Sequence, residues 1–227
     1  MCWASSVNDW YWASGDTERF LALAPDMARI IDNAVDKFLQ PGLAVAFVGW
    51  DDRVANGFCG SCNREVQLLF AALTIRACGD FAATLAHAGD MANSTRYNTT
   101  AHRLAGLLRA RPSDSGGAWH EDYGVHAAAY AINARVLATP AEVALLAKRE
   151  LSDPVTVCSW SPFNNYWILQ ALGNAGRMDF AAAFVKLCWG PMLKLGKGCF
   201  WELFSPEWCV RQRVLSPHIV ARKLLTV

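Results

Sequence analysis

The sequence lacks a surplus of charge of either sign. Its 21 lysines and arginines against 20 aspartates and glutamates leave a formal net charge of +1 over 227 residues. That balance offers neither a basic face to track a phosphate backbone nor a polybasic patch for anionic lipid. The basic residues are also scattered, apart from short groups such as Lys148-Arg149 and Arg222-Lys223. A nucleic-acid partner is therefore not expected. No continuous apolar run reaches the roughly 18 residues that suggest a membrane span. The opening MCWASSVNDWYW has no basic start followed by an apolar stretch, so it does not read as a signal peptide. There is no H-E-x-x-H pattern among the five histidines. Cys59-x-x-Cys62 has neither a second such pair nor paired histidines to complete a zinc site, and it lacks the strand–helix–strand context of a thioredoxin-like redox pair. No metal and no cofactor are expected. Finally, no fixed-period repeat appears, which argues against a solenoid of identical units.

What is present is apolar and aromatic. The chain is 53% hydrophobic, enough for one substantial core, and a single domain is the default. Ten tryptophans are many for this length. Most are expected to pack, but a flat apolar face with one N–H also suits stacking on the C–H face of a sugar. The eight cysteines are Cys2, Cys59, Cys62, Cys78, Cys158, Cys188, Cys199 and Cys209. The chain is neither short nor loop-rich, and Cys78 and Cys188 fall in helical apolar patterns where cysteine acts as a small hydrophobe. They are read as mostly free thiols, which favours a reducing, cytoplasmic compartment. NSTRYNTT holds two N-glycosylation tripeptides, beginning at Asn93 and Asn98, but such patterns are common by chance.

Almost every periodic segment is helical. Trp3 to Ala13 has helix-like aromatic spacing. From Thr17 to Gly42, Phe20, Leu23, Met27, Ile30, Ile31, Ala34, Val35 and Phe38 make an apolar stripe. Pro25 is expected to split that stretch into a short and a long helix. The following LAVAFVGWDDRVANGFCGSC reads as an extended connection. Helices are then expected from about Asn63 to Ala88, Met91 to Arg111 and Gly124 to Leu137. Thr139-Pro140-Ala141-Glu142 is a helix start with a capping box, and Ser161-Pro162 is a second cap with proline in the first turn. A last helix from Arg177 is expected to close at Gly190-Pro191. This gives about eight helices in antiparallel pairs, joined alternately by short turns and longer connections. The longer connections carry Trp50-Asp51-Asp52, Trp119 to Tyr123, Trp160 and Trp201-Glu202.

Ser161 to Phe204, SPFNNYWILQALGNAGRMDFAAAFVKLCWGPMLKLGKGCFWELF, resembles the last hairpin of the α-L-rhamnosidase family. The hallmark there is a helix leading to Trp189-Gly190-Pro191-Met192, a glycine turn at Gly196, and then Trp201-Glu202. Upstream, YWASGDTERFLALAPDMARIIDNAVDKF is similar to the family's helix pair with a TGD-like break, and FVGWDDR resembles the loop after it. The resemblance implies an all-α fold, a six-hairpin (α/α)6 toroid, and an inverting glycoside hydrolase. It places the catalytic base on Glu202. In such enzymes one carboxylic acid protonates the leaving oxygen while a second carboxylate, roughly 6.5–9.5 Å away, activates a water on the opposite face of the ring. Trp201, Trp50, Asp51, Asp52, Trp160 and Trp119 are the candidate substrate-binding residues, as stacking walls or as acceptors for sugar hydroxyls. Glu121 and Asp122 carry a similar argument on a weaker match, and His218 is a further candidate, following the base as a sugar-contacting histidine does in the family. His126 reads as a core residue.

Two features depart from the family. Gly198 and Cys199 stand where it has threonine or serine, and its acidic, arginine-containing general-acid motif has no match before Trp10. The expectation is therefore an incomplete toroid, its acid-bearing N-terminal hairpins missing, with an apolar flank open to self-association. The competing reading is a non-catalytic remnant that keeps a carbohydrate groove or a protein-binding surface. A helical scaffold of unrelated origin is the third.

Overall fold

The computed structural model describes residues 2–40, 64–113, 116, 123–153, 157 and 161–195. Among these the chain is all-α, with eight helical rods: α1 (Cys2–Ser14), α2 (Thr17–Leu39), α3 (Arg64–His87), α4 (Met91–Arg109), α5 (Val125–Asn133), α6 (Pro140–Glu150), α7 (Pro162–Asn174) and α8. The last of these begins as an α-helix (Met178–Phe184), widens into π turns (Val185–Trp189) and ends as α-helix again (Gly190–Leu195).

Local chemistry sets most of the helix starts. Asp16 and Asp90 accept the backbone N–H of Arg19 and Asn93 and so cap α2 and α4. Thr139 and Glu142 form the reciprocal capping box at α6, with Pro140 in the first turn. Ser161 caps α7 ahead of Pro162. Short turns through Gly15 (φ 70°) and Gly89 (φ 91°) link α1 to α2 and α3 to α4, using the left-handed backbone that glycine adopts without strain.

Three expectations about boundaries are corrected. Pro25 does not split α2, which runs unbroken to Leu39. Both Pro25 and Leu21, whose carbonyl loses its partner, lie on the exposed side, while Phe20, Met27 and Ile31 hold the opposite face in the core. Gly190-Pro191 does not close the last helix either. The π turns directly before it widen the backbone where the proline ring would crowd the preceding turn, and the rod continues to Leu195. Conversely α5 stops at Asn133, short of the expected Leu137. Arg135 takes a left-handed φ of 54° and the Val136 N–H turns back onto the Ala131 carbonyl. A non-glycine residue there costs about 1 kcal/mol.

The rods form two layers. α1, α3, α5 and α7 pack side by side in that order, each with its own outer partner, α2, α4, α6 and α8. The inner helices run parallel. The Tyr11 hydroxyl meets His87 Nδ1 at 2.7 Å, joining the C-terminal ends of α1 and α3. The Glu65 carboxylate accepts from the N–H groups of His126 and Ala127, joining the N-terminal ends of α3 and α5. Asn174 Nδ2 donates to Asn133 Oδ1 at 2.9 Å, joining the C-terminal ends of α5 and α7. In the outer layer, Asp32 of α2 accepts from Arg96 (2.8 Å) and from Tyr97 (3.1 Å) of α4. This is the expected architecture, an α/α toroid built of helical hairpins, four of which are described.

α3 is the core helix. Fifteen of its 24 residues are buried, on every side of the rod. By length and composition it is apolar enough to cross a membrane, yet 78% of its most apolar window is buried against its neighbours here. Cys78, on this helix, is fully buried and free, as expected, and burial followed by the Asp32 charge pushes its thiol up to about 12. Cys188 differs from expectation. It is buried but disulfide-bonded, with a partner outside the described side chains. An apolar helical position does not distinguish a thiol from a half-cystine. The expected extended connection, with Cys59 and Cys62, lies outside the described residues. The flank of α1 carries exposed tryptophans, Trp3 at 44% and Trp10 at 36%, one helical face apart by seven residues.

The α4 cap makes a pH prediction. The side-chain and backbone hydrogen bonds from Asn93 hold the Asp90 carboxyl below the usual carboxylate range. Its contribution is therefore present above the unfolded-state pKa and lost as pH falls through the folded one. Urea midpoints of wild type and Asp90→Ala should differ at neutral pH and converge in acid; a constant gap would contradict the cap.

Candidate functional site

Parallel inner helices give the array two unlike ends. The inner C-termini pass to the outer helices by the turns already described. The outer C-termini and the inner N-termini meet at the opposite end, and every long connection leaves and returns there. Gln40 and Arg64 bound the segment with Trp50, Asp51 and Asp52. Ser113 and Tyr123 bound the one with Trp119, Glu121 and Asp122, apart from Gly116. Asp153 and Ser161 bound the one with Trp160, and Leu195 precedes Trp201, Glu202 and His218. These candidate residues themselves lie outside the described residues. The described helix ends that carry them stand at one end of the array.

The platform beneath these segments is held by side chains that sequence reasoning missed. α5 begins at Gly124, which supplies no capping side chain. Its free N–H groups are met by Glu65, 61 and 62 residues earlier, at 3.1 and 3.3 Å. The carboxylate also faces the positive end of the helix. A Cβ on residue 124 would lie 2.5 Å from Glu65 Oε1, so only glycine leaves room for this cap. No local pattern reveals it, because donor and acceptor sit on different hairpins.

Three arginines hold backbone carbonyls at the same end. Arg64 donates to Pro112 O (3.0 Å), Arg111 to Phe38 O (3.5 Å) and Arg149 to Tyr123 O (3.4 Å). Arg111 also lies over the Phe38 ring at 5.3 Å, and burial, then the Arg64 charge, lowers its pKa. Arg149 is paired with Glu150 as well. Asn165 Nδ2 donates to Val157 O at 2.9 Å and to Ser161 O at 3.3 Å, fixing the approach to α7. The chain is thus clamped at Phe38, Pro112, Tyr123, Val157 and Ser161, beside three of the four long segments. His126 is buried, with its ring edge-on to Tyr130 at 5.2 Å, consistent with the expected core position. Among the described residues no cluster of three or more histidine, cysteine or acidic side chains is placed to hold a metal.

In comparisons with known proteins, no protein-family model and no curated protein matches the sequence. Among solved structures the fold is similar to a rhamnosidase from Klebsiella oxytoca with rhamnose bound, with a TM-score of 0.65 and 15% sequence identity. The likeness covers 90% of this chain and 40% of that one, so this chain spans well under half of that protein's length. The likeness shows a rhamnosidase-like helical fold.

The platform yields a prediction. Gly124→Ala should displace Glu65 from its cap and destabilise the chain by about 1–2 kcal/mol, with Glu65→Ala costing a similar amount. The double variant should lose little more than either single change. Additive losses in denaturant titration would show that the two residues do not act together.

Proposed function

We propose that this chain is part of an α-L-rhamnosidase-like glycoside hydrolase, in which Glu202 is the general base for inverting hydrolysis of a terminal glycosidic bond. The supporting observation is a coincidence of two independent features. The fold is similar over 90% of the chain to a protein solved with rhamnose bound, and Trp201-Glu202 follows the final hairpin, after the Gly196 turn, where the resembling family carries its base. On this reading Glu202 is ionised and holds one water in line with the anomeric carbon. A separate carboxylic acid protonates the leaving oxygen. Trp201, Trp50, Asp51, Asp52, Trp160, Trp119 and His218 border the sugar, with Trp201 the nearest wall because it adjoins the base. A carbohydrate is the partner, with no nucleic acid and no membrane.

A second reading has its own support. The likeness of fold stands at 15% identity, and Gly198 and Cys199 stand where the resembling family has threonine or serine in the turn ahead of its base. A helical module that binds carbohydrate or protein without cleaving a bond fits those two facts. Its open flank would be the face of α1 bearing Trp3 and Trp10, where self-association is expected.

Hydrolysis of an aryl α-L-rhamnoside separates the readings. Turnover by wild type, reduced about 10²–10⁴-fold in Glu202→Gln, is the expected result for a working base. Turnover unchanged in Glu202→Gln would remove Glu202 from that role. No turnover by the folded wild-type chain would favour the non-catalytic module. In sedimentation, Trp10→Glu should shift any dimer toward monomer.

A further inference from the structure

A cavity of about 650 Å³ lies among α3, α4 and the C-terminal ends of α5 and α7. It is toward the end of the inner layer away from Glu65 and the long connections. Its origin is a mismatch in helix length. α3 and α5 start level, tied by Glu65, but α3 has 24 residues and α5 only nine. At 1.5 Å per residue, α5 stops after about 14 Å while α3 continues to about 36 Å. Past Asn133, α5 no longer covers α3, and α7 reaches it there through Gln170 and Trp167. Small residues keep the gap open: Gly79, Ala82 and Ala83 on α3, and Ala101 and Ala105 on α4. A Cβ added at Gly79 would meet nothing within 4 Å.

The wall of this open cavity is polar, pre-set on the Arg76 and Asn133 side and exposed at Thr95, Asn98, His102 and Arg135. The Arg76 guanidinium donates to Asp80 (3.1 Å) and Gln170 (2.6 Å), and it lies over the Trp167 ring at 4.8 Å. Asn133 is fixed by accepting from Asn174 and donating to the Trp167 carbonyl. Three lining side chains, Asn98, His102 and Arg135, make no hydrogen bond or ion pair with any described residue. Four titratable groups line the cavity: Arg76, Asp80, His102 and Arg135. Arg76 and Asp80 neutralise each other, which leaves the Arg135 guanidinium as the unmatched charge. Arg135 is also the one described non-glycine residue with a left-handed φ. Among the described lining residues there is no phenylalanine, tyrosine or tryptophan to stack on an aromatic group or a sugar face.

We propose that this cavity is a second binding site, for a small polyhydroxylated carboxylate of sugar-acid size. Arg135 pairs with the carboxylate through its planar fork of donors. Asn98, the Gln170 amide nitrogen and the Thr95 hydroxyl serve the ligand's hydroxyl groups. The site does not depend on Glu202 or on glycoside hydrolysis, so its test stands apart from that reading.

Calorimetric titration of the full chain with D-gluconate, and with D-glucose as the neutral counterpart, tests it. Saturable gluconate binding is expected, at least about tenfold tighter than glucose. Arg135→Gly relieves the left-handed backbone, so it should fold with an equal or higher Tm and yet bind gluconate about tenfold more weakly. Gly79→Leu, whose Cβ enters open space, should obstruct the cavity and abolish binding. Failure of folded wild type to bind gluconate at millimolar concentration would overturn the proposal. So would gluconate affinity unchanged in both variants, or glucose binding as tightly as gluconate.

Discussion

The structure depends on enclosing α3. A helix that is apolar around its whole circumference, as α3 is over Val66–Ile75, cannot lie on a surface, because no orientation hides it from water. Every neighbouring rod answers that demand. α4 folds back along it, α1 and α5 take its two sides, and α2 closes over the α1 edge. The parallel inner layer follows from this enclosure, since each neighbour reaches α3 through a hairpin that returns the chain to the same end. The polar links between rods, such as Tyr11 with His87 and Asp32 with Tyr97, set the register of a packing that apolar burial drives.

The same enclosure sets the tight turns and the long segments at opposite ends of the array. The tight turns sit away from the end where the long segments leave and return, while α5 and the first half of α3 bury their residues close to that end. At that end Glu65, Arg64, Arg111 and Arg149 hold the backbone in place across hairpins. Similarity of fold to a rhamnosidase at 15% identity is understandable on these terms. The helix array asks only for apolar faces, caps and a few clamps, and many sequences meet those conditions.

How much could be read from the sequence follows from how local each signal is. The Thr139–Glu142 capping box and the Ser161 cap were legible because donor and acceptor lie within one turn. The α2 stripe was legible because its period matches the buried face of Phe20, Met27, Ile31 and Phe38. Pro25 and Pro191 misled because proline stops a helix only when the surroundings cannot absorb the lost hydrogen bond. Water does so at Pro25 and the π turns do so at Pro191. The Glu65–Gly124 contact, the early stop of α5 at Arg135 and the Cys188 disulfide were hidden for another reason, since each depends on which rods meet in space. The candidate catalytic site was legible only as a motif. Trp201-Glu202 stands out by its residues, and its geometry lies outside the described residues.

The arginine clamps have a consequence for how this chain can change. Each grips a main-chain carbonyl, a group every amino acid carries, so the grip itself asks for no particular residue at Phe38, Pro112 or Tyr123. Substitution at those three positions therefore keeps the anchoring acceptors, and loop closure entropy rises only slowly as a connection lengthens. The fold works as a chassis with standard fittings. New recognition surfaces can be tried on it one connection at a time, because the anchoring carbonyls come with any residue.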